Sequence, residues 1–184
     1  MFLVAAAGGG LRASYWTAGI LGALQDGDES FSRHVLALSG VSGGSVGVGI
    51  FAALVKAGCK PSSTGDASQQ LSPACRAYAA EILKADFLAP TLYALLTRDV
   101  LTSIIPIDAP DRAAVLEQAF ERSWRGVVGN DALERPLDEL WQGGDTDRVP
   151  ALFLNATEVA SAEHVVIGPL SMVGAGRRRP STQG

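Results

Sequence analysis

Charge is scarce in this chain: acidic and basic residues make up 18% of it, against 47% apolar residues. That balance supports a folded core and excludes a disordered segment. The formal charge of −4 leaves out the basic footprint that nucleic-acid binding needs for counterion release. The one dense basic cluster, Arg177-Arg178-Arg179, lies beside the C-terminus and reads as a solvated tail. Cysteine is nearly absent, and Cys59 and Cys75 have neither C-x-x-C spacing nor neighbouring histidines, so no metal or zinc site and no redox pair is supported. Free thiols in a reducing compartment are the expectation, with one disulfide closing the intervening loop as the alternative. Long hydrophobic runs are missing too. MFLVAAAGGG is too short to cross a bilayer and lacks a basic n-region, while residues 46–55 cover about three helical turns and suit a buried helix.

The length of 184 residues suits one domain, read as residues 1–176, followed by a basic polar tail over 177–184. Phe2–Ala6 reads as a strand ended by three glycines. Thr17, Ile20, Leu21 and Leu24 recur at helical spacing after it, and Asp26-Gly27 stops that helix. Residues 35–38 form a second, apolar strand, as expected inside a parallel sheet. Gly43–Lys56 has the length and composition of a buried helix. Residues 59–73 are rich in Ser, Pro, Gly and Gln and read as a surface excursion. Helix is expected over 75–96, interrupted near Ala89-Pro90, and over 111–124, where Val115, Leu116, Ala119 and Phe120 form the apolar face. Strands are expected at 151–154 and His164–Ile167, with Asn155-Ala156-Thr157 as the turn after the first. The alternation gives an α/β layer architecture with a largely parallel central sheet.

Two stretches carry chemistry. Gly40-Val41-Ser42-Gly43-Gly44 satisfies G-x-S-x-G between an expected strand and helix. Small residues there let the chain turn sharply and hold the central hydroxyl clear of the backbone. Ser42 is the candidate nucleophile. Ser39 belongs to the strand end, and Ser45 falls inside the first helical turn. The second stretch, Gly8-Gly9-Gly10-Leu11-Arg12, again follows a strand and precedes a helix. Successive glycines let backbone N–H groups converge on an anion, here the oxyanion of acyl transfer. Arg12 would support that loop or attract a phosphate headgroup. Neither the phosphate loop of nucleotide-binding proteins nor the dinucleotide fingerprint is matched.

In that order and context, the two stretches resemble the patatin-like phospholipase family. The family's glycine-rich oxyanion loop corresponds to Gly8, Gly9, Gly10 and Arg12, and its nucleophile to Ser42 between Gly40 and Gly44. PALFLNATEVASAEHVVIGP, residues 150–169, is similar to a later strand–turn–strand of the family. The resemblance implies a three-layer acyl-hydrolase fold, incomplete at its C-terminal end, and a Ser–Asp dyad that cleaves phospholipids or other fatty acyl esters without a cofactor. It also implies a cytoplasmic protein, or one associated with a membrane on the cytoplasmic side through peripheral contact or a parent membrane protein. The family's aspartate sits in a downstream D-G-G or D-G-A, and the only Asp-Gly here, Asp26-Gly27, lies upstream of Ser42. A chain that stops before this motif is the expected explanation, and feeble catalysis its consequence. A noncatalytic lipid- or anion-binding module is the alternative. His34 and His164 read as edge histidines rather than the base.

Overall fold

A computed structural model describes residues 1–59, 75–95, 112–143 and 149–169. In chain order it has β1 (Phe2–Ala6), α1 (Gly10–Gly27), α2 (Phe31–His34), β2 (Val35–Val41), α3 (Gly43–Lys56), α4 (Cys75–Leu83) and α5 (Leu88–Ala94). Then come α6 (Arg112–Val128), 3₁₀ turns at Ala132–Glu134 and Leu137–Trp141, β3 (Ala151–Thr157) and β4 (His164–Ile167). The strands β1 and β4 and the helix α3 fall on the expected residues. Strand β2 runs past Leu38 to Val41 and so feeds directly into the serine turn. Strand β3 continues through Thr157, which puts Asn155-Ala156-Thr157 in the sheet rather than in a turn. The helical break after α4 precedes Pro90, because the Asp86 carboxylate accepts the Leu88 and Ala89 N–H groups at 3.0 and 2.9 Å and starts a new helix. Pro90 then sits in the first turn of α5, where its missing N–H costs nothing.

The sheet corrects the expected fold class. Its four strands run in the order β1-β2-β3-β4, with β1, β2 and β3 parallel and β4 antiparallel to β3. The cause is local. The Glu158 and Glu163 backbones hydrogen-bond across the β3–β4 connection, and so short a loop can return a strand only in the antiparallel sense. The result is a small mixed sheet in a mostly helical chain, not a largely parallel sheet of the patatin type. Among the described residues the helices cover one face of the sheet. Helix α3 covers the face carrying Leu38 and Leu152 with Val48, Phe51 and Ala52, whereas Leu3 and Val41 on the opposite face stay exposed.

A second core lies beyond α3. Ala18 of α1, Ile50 and Leu54 of α3, Ala79 and Ile82 of α4, and Trp124 and Val128 of α6 pack together there. Cys59 and Cys75 correct the free-thiol expectation: they form a disulfide, with Cα atoms 5.0 Å apart, joining the end of α3 to the start of α4. Asp26 holds the geometry from α1, accepting the Cys75 and Arg76 N–H groups at 2.6 and 3.1 Å. No helix among the described residues is long and apolar enough to cross a membrane. Most of the 59–73 excursion and the whole 177–184 tail lie outside the described residues.

Candidate active site at a strand-to-helix turn

Strand β2 ends at Val41 and α3 begins at Gly43, so Ser42 alone makes the turn. Its backbone sits at φ 53°, ψ −124°, and its side chain is exposed. A non-glycine residue held at such angles costs about 1–3 kcal/mol, and the neighbours must enforce it. They do so by close approach. A Cβ on Gly40 would lie 2.5 Å from the Ser45 Cα, one on Gly44 2.5 Å from the Ala6 carbonyl oxygen, and one on Gly43 2.0 Å from the Gly10 carbonyl oxygen. Only bare backbone fits at these three positions.

The glycine loop meets this turn. A Cβ on Gly8 would stand 3.3 Å from the Ser42 Cβ and 3.9 Å from its Oγ. Gly10, at φ 63°, opens α1 against Gly43. The N-termini of α1 and α3 therefore converge beside Ser42, at the carboxyl ends of two parallel strands. Free N–H groups and the positive ends of two helix dipoles gather there, as an anion requires. Arg12 is exposed in the first turn of α1.

Two residues that sequence reasoning passed over hold the pieces together. The buried Ser14 hydroxyl donates to the Gly43 carbonyl at 2.8 Å and lies 3.3 Å from the Gly10 carbonyl, tying α1 to the turn. Its signal was a serine on the inner side of an apolar helix, four residues after Gly10. Asn155 donates from Nδ2 to the Ser39 Oγ at 3.0 Å and to the Gly40 carbonyl at 2.9 Å, pinning β3 to the approach to Ser42. That leaves Ser39 engaged in the sheet. The Ser45 Oγ is buried without a hydrogen-bond partner among the described residues.

No described Asp, Glu or His side chain hydrogen-bonds the Ser42 Oγ. His34 stands at the amino end of β2 with Nδ1 on the Ser30 carbonyl at 3.0 Å. His164 is exposed and pairs with Thr157, across β3 from β2. Asp26 is occupied at the start of α4. Among the described residues no cluster of three metal-ligating side chains exists. Among the described residues, one hollow of about 620 Å³ lies between α3, the 3₁₀ turns and β3–β4, and another of about 460 Å³ lies at the disulfide. Ser42 lines neither, and it is exposed. Compared with protein-family models, curated proteins and solved structures, the chain matches none.

Proposed function

We propose that the chain is a serine acyl hydrolase acting on fatty acyl esters such as phospholipids, with Ser42 as nucleophile. The observation that carries this reading is the enforced backbone of Ser42 at a one-residue strand-to-helix turn, with Gly8 packed against its side chain. Strained serines on such turns present an exposed Oγ to substrate. The Ser42 Oγ attacks the ester carbonyl carbon, the alcohol leaves with a proton, and water then frees the acid from the acyl-serine. Backbone N–H groups of the 8–10 loop and of the start of α3 hold the carbonyl oxygen as it gains charge. One well-placed donor of this kind contributes about 3 kcal/mol to the transition state. Arg12 supplies a positive charge for a headgroup phosphate.

The resemblance to patatin-like phospholipases supports the same role for Ser42, and it rests on the two loops, not on the sheet. The protein works at a membrane surface, and its buried disulfide favours an oxidising compartment over the cytoplasm. One observation favours a second reading, a noncatalytic lipid- or anion-binding module: no described base reaches Ser42. Hydrolysis of p-nitrophenyl butyrate separates the two. Slow turnover is expected in the wild type, above the roughly 10³–10⁴-fold acceleration over water that an oxyanion site leaves even without its serine. It should drop to that floor in Ser42→Ala and largely persist in Ser39→Ala. A wild type no faster than Ser42→Ala overturns the hydrolase reading in favour of the binding module.

A further inference from the structure

Helix α1 is apolar on both sides. Ser14, Ala18, Leu21 and Gly22 are buried on its inner face, yet its outer face shows Tyr15 48%, Trp16 68%, Ile20 51% and Leu24 47% exposed. From residue 13 to residue 25 there is no charged side chain. A surface helix ordinarily turns charges outward, and an exposed apolar face of this kind marks a binding surface. Trp16, Ile20 and Leu24 follow each other at i, i+4 and i+8 and form one ridge, with Arg12 on the same line one turn earlier. Charge is confined to the two ends. Arg12 sits in the first turn, while Asp26, Asp28 and Glu29 lie at the other end, roughly 21 Å away at 1.5 Å per residue.

We propose that this ridge docks the protein on a lipid–water interface, with the N-terminal end of α1 toward the headgroups. The choice of lipid rests on the acyl-hydrolase reading, because α1 opens at Gly10 against Gly43 and the ridge therefore starts at the reactive turn. The charge pattern fits the same orientation. Arg12 and the free amides of the first turn meet headgroup phosphate, and the acidic end stays in water. Trp16 and Tyr15 have the amphipathic rings that settle at headgroup depth. Because the whole chain carries −4, apolar insertion and not general electrostatic attraction holds it there. Zwitterionic phosphatidylcholine therefore suffices, and salt changes binding little.

The test is cosedimentation of the full chain with phosphatidylcholine vesicles, carried out in the Ser42→Ala background so that no lipid is consumed. Ser42→Ala protein is expected to bind with a blue shift of tryptophan emission. Adding Trp16→Ser and Ile20→Ser should weaken binding by at least about tenfold, with the far-UV circular dichroism of the folded protein retained because both side chains are more than half exposed. Absence of vesicle binding, or equal binding with and without the two serines, overturns the proposal. So does a dimer in gel filtration that the two substitutions dissociate in a protein that ignores vesicles, which would assign the ridge to a second copy. Vesicle binding without ester hydrolysis by the wild type leaves the docking surface standing and removes only the hydrolase. Hydrolysis of a soluble ester without vesicle binding does the reverse.

Discussion

Replacing Gly43 by alanine tests whether the serine turn and the glycine loop are one unit. The added Cβ would lie 2.0 Å from the Gly10 carbonyl oxygen, 2.7 Å from its carbon and 3.0 Å from the Gly10 nitrogen. All three are backbone atoms, so no side chain can rotate out of the way and one helix start must move off the other. Overpacking of this kind costs about 3 kcal/mol at the upper end of its range. Stiffening of the unfolded chain returns about 1 kcal/mol. A net loss of roughly 2 kcal/mol lowers the melting temperature by about 4–8 °C in a chain of this size. The control lies six residues on in the same helix. A Cβ on Gly49 meets no heavy atom within 4 Å, so Gly49→Ala gains helix propensity, about 1 kcal/mol, without a clash. Thermal melts by circular dichroism, run beside ester hydrolysis, decide the matter. Gly43→Ala should melt early and lose activity, while Gly49→Ala melts at or above the wild type. Equal melting of Gly43→Ala and wild type, or a worse result for Gly49→Ala, would refute the close approach.

Ser14→Ala should lower stability by about 1–2 kcal/mol and reduce activity, because the buried Gly43 carbonyl loses its donor at 2.8 Å; unchanged melting and activity would remove Ser14 as the tie between loop and turn. Thiol titration of unfolded, unreduced protein should find no free cysteine, and Cys59→Ala with Cys75→Ala should cost about 3 kcal/mol for a closed loop of this length. A titration of two thiols per chain would contradict the cross-link. The Asp28 carboxylate is held below its ordinary pKa by the Ser30 hydroxyl first and the Ser30 amide second. Its contribution is therefore present above about pH 4 and is lost as pH falls through the folded-state value. Asp28→Asn should flatten the acid limb of the stability curve, and an unaltered limb would show that the carboxylate is not so held.

Much of the site was legible because glycine-rich punctuation is local. The G-x-S-x-G of residues 40–44 and the run Gly8-Gly9-Gly10 announce chain turns that larger residues could not make, and β1, α3 and β4 fall where short runs of apolar and small residues put them. What failed was long-range or reciprocal. The antiparallel β4 depends on how tightly residues 158–163 close, and hydropathy is silent on that. The Asn155 amide looked like part of a turn because its two acceptors, the Ser39 hydroxyl and the Gly40 carbonyl, lie more than a hundred residues away in sequence. The cysteines looked free for the same reason, since their closeness comes from α1 and Asp26 holding the start of α4. Trp16 carries no signal of exposure in its own surroundings, and only the packing of the opposite face of α1 revealed it.

The central claim is that Ser42 is a nucleophile displayed by its turn, and covalent capture tests it most directly. The full chain is treated with a fluorophosphonate, digested, and the modified residue located by mass spectrometry, with Ser42→Ala, Ser39→Ala and Ser45→Ala treated alongside. The account predicts one adduct per chain, on Ser42, absent from Ser42→Ala and retained in substantial part by the other two variants. Undiminished labelling of Ser42→Ala, or an unlabelled wild type, would contradict it.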